Sequence, residues 1–388
     1  QQMIADVPVG AFLSGGIDSS LIVAIMQQQS HRPVKTFTIG FSEEAYNEAQ
    51  YAKRIAKHLG TDHVELYITS QEAMDVIPDL SQIYDEPFSD SSQIPTYLVS
   101  KLSRSKVAVS LSGDGGDELF GGYNRYLYGQ QIWNYLKHIP SSMQKTLHNT
   151  VTSISPRAWD TLEKWLAPIL PHKTKQSNLG NKLHKLAEVL NSANTEDLYL
   201  NFISTWKASQ NIVKNSKQTR SFILDSRIWP EIEDFTLRMM FLDTMTYLPD
   251  DILVKIDRAS MAVSLETRTP FLNHKIIEFA WKLPLQMKVR NGQGKWLLRQ
   301  VLDKYVPLNF IERPKMGFGV PIDFWLRGPL KDWAENLLSE SRLASDGLFN
   351  PAPIREKWRE HLSGRKNWHH QIWTILMFQA WFEAQRKN

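Results

Sequence analysis

The chain has 388 residues, 45 basic against 41 acidic side chains, 42% hydrophobic residues and no cysteine. At roughly 150 residues per domain, that length suggests two or three structural units, or one large α/β unit with a helical extension; apolar material is ample, so overall disorder is excluded. Zero cysteine excludes a disulfide framework, a Cys-ligated zinc or iron–sulfur site and a cysteine nucleophile in this chain, and a formal charge of +4 is too small to argue for nucleic acid.

The first residues, Gln1-Gln2-Met3-Ile4-Ala5-Asp6, contain no basic stretch followed by an apolar run. No apolar run reaches the roughly 20 residues of a bilayer span, so no membrane is expected and the working location is cytoplasmic. Residues 1–5 read as the end of a helix, as if cut from something longer. Residues 9–13 form a short apolar strand ending at Ser14-Gly15-Gly16, and 21–28 carry helical periodicity. Residues 34–41 (VKTFTIGF) read as a second strand ending at Ser42, followed by a helix over 47–59 with Gly60 at its C′ position. A third strand is expected at 63–68, a helix at 97–104 and a fourth strand at 106–111, which runs into a second glycine cluster.

Continuous apolar strands separated by helices predict an α/β fold with a parallel twisted sheet covered on both faces. The nucleotide-binding core is expected over 1–128, with ligands bound beyond the carboxyl ends of the strands. From about Trp133 the text turns helical, and 129–388 is expected to be a large helical C-terminal part completing the same unit. Residues 172–220 are rich in Lys, Asn and Ser and carry little signal. The stretch 369–385 reads as an aromatic helix whose Trp373, Met377 and Trp381 recur every four residues, a core-packing pattern. His369-His370 lacks a third ligand at metal spacing and reads as a pair of helix-surface histidines.

Two loops carry chemistry. Ser14-Gly15-Gly16-Ile17-Asp18-Ser19-Ser20 follows a strand and opens a helix. Its glycines let the backbone approach an anion, its hydroxyls add donors, and the helix end adds free N–H groups. That composition describes a phosphate cradle; Asp18 inside it implies an intervening cation, Mg²⁺. It has neither the GK[ST] of a Walker loop nor a dinucleotide GxGxxG. The second loop, 110–123 (SLSGDGGDELFGGY), packs five glycines and three acids behind the fourth strand. Beside a phosphate cradle, such a loop suits metal binding or a carboxylate that handles a proton. For both loops the plainer alternative is a tight turn with solvated or capping acids.

SGGIDSS resembles the pyrophosphate loop of ATP pyrophosphatases. Together with SGDGGDELFGGY it resembles the synthetase domain of glutamine-dependent asparagine synthetases, in consistent order over about residues 6–330. The agreement extends to Asp85-Glu86-Pro87-Phe88, Ile94-Pro95-Thr96-Tyr97, the run from Leu248-Pro249-Asp250-Asp251 through Lys255-Ile256-Asp257-Arg258 to Phe271-Leu272, and Gly294-Lys295. The resemblance implies an adenine nucleotide alpha-hydrolase-like fold, with ATP and Mg²⁺ as cofactors. It implies that Ser14, Gly15, Gly16, Asp18 and Ser19 hold the β,γ-phosphates and the metal, that Asp117 helps hold the metal, and that main chain near Phe12, Ile39, Ser112 and Gly113 lines the adenosine pocket. Asp114 matches the carboxylate tied to acyl-adenylate formation, where many members carry glutamate. Lys295 would neutralise charge at the α-phosphate as pyrophosphate leaves. Lys255 and Arg258 would contact phosphate or an acidic substrate, with Asp257 orienting one of them, or would serve only in structural salt bridges, while Glu266 and Arg268 would tie their segment to the core.

The implied reaction is adenylation of the aspartate side chain followed by attack of ammonia, giving asparagine, AMP and pyrophosphate. A glutaminase domain with an N-terminal cysteine is expected as partner in a full-length protein and a homodimer is the assembly considered; no nucleic acid is expected. Rival readings stay open: amidation or cyclisation of another acid (a sugar uronate, a peptide or a β-lactam precursor), an RNA-modifying ATP pyrophosphatase, or a non-catalytic nucleotide-binding scaffold.

Overall fold

The computed structural model describes residues 1–41, 47–166, 179–206, 211–217, 221–312 and 319–387. Ser42 and parts of the low-signal stretch 172–220 lie outside the described residues. The chain forms two compact units, one built mainly of Gln1–Leu127 with Pro230–Val320, the other of Tyr128–Trp229 with Pro321–Arg386.

The first unit is organised on one five-stranded sheet of order β3-β2-β1-β4-β5. Its strands are β1 Val9–Phe12, β2 Lys35–Phe41, β3 Asp62–Ile68, β4 Val109–Leu111 and β5 Glu266–Arg268, and all neighbours run parallel. In β2 every residue from Thr36 to Phe41 is buried, as befits a strand covered on both faces. Helix α1, Ile17–Gln29, follows β1 and buries Leu21, Ile22, Val23, Ala24 and Met26. Helix α2, Ala49–Leu59, buries only its stripe of Ala49, Ala52, Ile55 and Ala56 and stops at Gly60, whose φ of 70° is the left-handed cap expected of that glycine. The apolar core gathers Ala11, Leu13 and Leu111 from the strands with Leu21 and Val23 of α1, Ile55 of α2 and Leu298 and Leu302 from the C-terminal part of the unit.

Several boundaries differ from the sequence reading, each for a local reason. The helix expected at 97 begins at Gln93. Pro95 sits in its first turn, where a missing N–H costs no helical hydrogen bond. β4 starts at Val109 rather than 106, because the N–H groups of Lys106 and Val107 are taken by Ser103 O of the preceding helix, both at 2.9 Å. Residues 1–5 form a turn closed by Ile4 N–H to Gln1 O at 3.1 Å, not a helix end. The fifth strand, Glu266–Arg268, falls in text read as helical. Arg268 donates to Gln2 O at 2.8 Å and Ile4 O at 2.9 Å, so it fastens the N-terminal segment beside the sheet.

The second unit is helical among its described residues, apart from a single antiparallel bridge, Val213 to Phe349. Trp358 of helix Pro351–Ser363 and Trp373 and Met377 of helix His369–Lys387 are buried in it, while Trp381 is half-buried. His370 is exposed, but His369 is half-buried with its ring 3.9 Å from that of His370, and burial pushes it down to about 2, so it stays neutral. No helix among the described residues is long and apolar enough to cross a membrane.

Candidate active site

The chain passes from β1 to β2 and β3 on one side and then returns to β4 on the other side of β1. At such a reversal of strand order, ligands bind in the crevice beyond the carboxyl ends of the strands. Here β1 and β4 pair directly, Ala11 opposite Leu111, so the two glycine loops leave the sheet side by side. A pocket of about 710 Å³ lies over them.

The first loop is held by its own hydroxyls. Ser14 Oγ lies 3.0 Å from Ser19 Oγ and accepts from Gly16 N–H at 3.2 Å, while Ser19 Oγ accepts from Ser14 N–H at 3.2 Å. Gly15 has φ of 74°, and a β-carbon there would stand 2.9 Å from Ala52 N, so the turn requires glycine on both counts. The result is a tight turn at the head of the 13-residue α1, with Asp18 in its first turn.

The second loop closes on the first. A β-carbon on Gly113 would lie 2.9 Å from Asp18 Cβ, so the bare glycine lets the loops touch. Ser112 N–H donates to Arg268 O at 2.8 Å, anchoring the loop to β5. Ser112 Oγ donates to Asp114 Oδ2 at 2.5 Å. Burial raises the Asp114 carboxyl above its ordinary range, although the Ser112 hydrogen bond and the charges of Lys255 and Lys295 oppose the shift. Further along, Glu118 is 1% exposed and burial pushes it up to about 7, despite the hydrogen bond it accepts from Tyr123 Oη at 2.5 Å.

Lys295 reaches the same place from the far end of the unit. Its Nζ pairs with Asp117 Oδ1 at 2.8 Å and also with Asp18. Burial alone would lower its pKa, but Asp117 and Asp18 together raise it, so it is a fixed positive charge. Its backbone is unusual: φ of 57° and ψ of 34° place a lysine in the left-handed region, at the start of helix Trp296–Leu302. Lys295 N–H donates to Phe120 O at 2.9 Å. A β-carbon on Gly122 would overlap the Asp117 carboxylate and Lys295 Cε, so the side chain runs through a groove cleared by glycine.

Lys255 occupies another wall. It lies in helix Val254–Met261, and its Nζ pairs with Asp90 Oδ2 at 2.8 Å. One turn upstream, Asp251 sits on the π-helical turn Leu248–Leu253 with its Oδ1 buried and lacking a hydrogen-bond partner. Wide turns of this kind occur often at functional sites. Burial and the neighbouring Asp90 push Asp251 up to about 7. For Asp90, burial works upward, but Lys255 outweighs it and holds the carboxylate below its ordinary range.

Phe12, Ser14, Gly15, Gly16, Asp18, Ser19, Ile39, Ser112, Gly113, Asp114, Asp117, Lys255 and Lys295 all line this one pocket. Arg258 and Asp257 are not among its lining residues; Arg258 pairs with Asp257 at 2.8 Å and Asp85 at 2.9 Å. Asp90, Glu118, Tyr123, Tyr247 and Arg299 also line the pocket and were given no role by the sequence reading. Glu118 and Tyr123 lie inside the second glycine loop, whereas Asp90 falls between the segments Asp85–Phe88 and Ile94–Tyr97 that carry the resemblance.

Comparison with known proteins gives the same frame. The sequence matches Asparagine synthase over residues 1–383. It is 33% identical over 382 residues to Asparagine synthetase (glutamine-hydrolyzing) 1 of Bacillus subtilis (strain 168), covering 98% of this chain and 56% of that protein. It is 32% identical over 382 residues to a Putative asparagine synthetase (glutamine-hydrolyzing) of Mycobacterium tuberculosis (strain ATCC 25618 / H37Rv), covering 55% of the latter. It is also 24% identical over 377 residues to Amidase chry2 of Gibberella zeae, covering 89% of this chain and 54% of that protein. The chain thus spans about half the length of the curated relatives it matches. With a family match over nearly its whole length, the chain belongs to the asparagine synthase family.

Proposed function

We propose that this chain is a carbon–nitrogen ligase unit that adenylates the side-chain carboxylate of aspartate with ATP and passes the acyl group to ammonia. The observation that carries the proposal is the convergence of Asp18, Asp117 and Lys295 at the junction of the two glycine loops, with Asp114 lining the same pocket. Phosphoryl and adenylyl transfer demand mostly positioning and charge neutralisation. In this reading the Ser14–Ser19 turn seats the terminal phosphates, and the main chain at Phe12, Ile39 and Ser112-Gly113 borders the adenosine. Lys295 offsets negative charge as pyrophosphate departs. Asp114, its carboxyl raised by burial, would take a proton during attack by ammonia. ATP as co-substrate is consistent with a cytoplasmic setting.

Asp18 and Asp117 are the residues that would hold Mg²⁺. Among the described residues no group of three or more His, Asp or Glu side chains is placed to hold a metal. Two carboxylates completed by substrate phosphates form a usual donor set for this ion, so the residues fit it. When bound, Mg²⁺ would supply charge neutralisation on the phosphate oxygens.

ATP labelled at the α-phosphate, incubated with Mg²⁺, ammonium and aspartate, should yield labelled AMP together with pyrophosphate and asparagine. ADP as the nucleotide product would overturn the mechanism. With no cysteine for the family's route of glutamine cleavage, this chain should work with ammonium and not with glutamine alone. The similarity to a protein named Amidase chry2 favours testing other acids in the same assay, and turnover of one of them without aspartate turnover would replace the substrate assignment.

A further inference from the structure

Lys295 meets Asp18 and Asp117 at once, and these acids come from different loops: the first turn of α1 and the short helix Gly116–Phe120. The residue is 6% exposed, its Cε is hemmed in at Gly122, and its backbone is fixed by the bond to Phe120 O. An ammonium so placed supplies the positive charge that two neighbouring, largely buried carboxylates require. A small divalent ion held by the same pair would draw on the carboxylates that now accept from Nζ, so metal and ammonium would compete for them.

We infer that Lys295 is a built-in cation standing in the metal's place in the nucleotide-free protein, and that metal and ammonium exchange when the nucleotide arrives. The inference rests on the proposed assignment of Asp18 and Asp117 to the metal. Metal alone has to displace an ammonium that then has no partner, so it binds weakly. Metal arriving with phosphates brings Nζ a new anionic partner, and the displacement is offset. Metal and nucleotide therefore strengthen each other's binding by the same factor, and the coupling passes through one lysine.

Mn²⁺ binding followed by electron paramagnetic resonance reads this out without turnover. Lys295→Met is expected to bind Mn²⁺ alone at least about tenfold more tightly than the unsubstituted protein, because a competing unit charge is gone. It should also lose most of the enhancement by ATP. Equal or weaker Mn²⁺ binding by the folded variant overturns the exchange. If Lys295→Met folds only with metal present, the unsubstituted protein supplies the readout through acylation of lysines followed by mass spectrometry. Lys295 should become severalfold more reactive as Mn²⁺ is added without nucleotide, and unchanged reactivity overturns the inference. Asp117→Asn keeps the two claims apart. Normal Mn²⁺–ATP binding by that variant removes the metal assignment and the inference with it; loss of Mn²⁺–ATP binding without a gain in Lys295→Met leaves the assignment and removes only the exchange.

Discussion

The pocket has two lysines, and they are built in opposite ways. Lys295 departs from a left-handed backbone, passes through space cleared by Gly122 and ends between acids from two separate loops. Lys255 stands on the ordinary helical backbone of Val254–Met261, with Asp90 as its ion-pair partner and Asp251 one turn away on the same segment. Holding a non-glycine residue at φ near 57° costs about 1 kcal/mol or more, a cost that persists only where the surroundings enforce it. Strain and clearance concentrate where the proposed reaction needs an exact charge position. The Lys255 wall relies on helix geometry, which tolerates replacement better.

That contrast breaks most sharply on turnover. Lys295→Met should lower kcat roughly a hundred- to a thousandfold in a pyrophosphate-release assay, with circular dichroism unchanged, as expected for losing a charge used in the transition state. A near-normal rate would erase the difference between the two lysines.

Next in size is a pH effect, because two buried carboxyls of the region are pushed up to about 7: Glu118, next in sequence to the Asp117 that pairs with Lys295, and Asp251, which neighbours Lys255. Glu118 has an ordinary value of 4.5, so between pH 4.5 and about 7 the folded state keeps a proton that the unfolded chain releases. Stability from this group is therefore full below pH 4.5 and falls as pH rises to about 7, by up to about 3 kcal/mol. Glu118→Gln removes the loss, so urea midpoints of variant and unsubstituted protein should draw apart in favour of the variant between pH 5 and 8. Parallel midpoints across that range would mean Glu118 is not held protonated.

Gly122→Ala tests the clearance itself. The added methyl has no room beside Asp117 and Lys295, so a loss of about 1–3 kcal/mol in stability is expected, with activity falling further than stability explains. An alanine variant of normal stability and rate would show that the groove adjusts. The smallest effect is expected at the other wall: Asp90→Asn weakens the hold on Lys255 and should raise the KM for the acid substrate about tenfold with kcat within a few-fold. A drop confined to kcat would place Lys255 alongside Lys295 after all.

Much of this was legible in the sequence, and the limits follow from physics. Apolar strands ending at glycine clusters mark β1 and β4 because a buried parallel strand must be apolar and a turn this tight has room only for small residues. β5 was missed because Glu266-Thr267-Arg268 is three polar residues on a sheet edge, where pairing is set by Leu111 and its neighbours rather than by local pattern. Lys295 was noticed through Gly294, but nothing in the order Gly-Lys-Trp announces a left-handed lysine; Phe120 O and the clearance at Gly122 impose it. Asp90 and Asp251 stayed silent because an acid becomes part of a site only through partners, and theirs lie far along the chain or across a π-helical turn.

Asp18 and Lys295 are 277 residues apart in the chain. Contacts of such separation are slow to form, since a long loop must close before any attraction is gained. Completing the pocket therefore requires segments far apart in the chain to be in place together. A ligand held there acts as a clasp on the most non-local part of the fold: at a concentration about 100 times its Kd it adds about 2.7 kcal/mol to the stability of the folded state. Protection from proteolysis by saturating nucleotide would then report on completed folding as much as on binding, and an unliganded pool of this protein would be the portion most exposed to degradation.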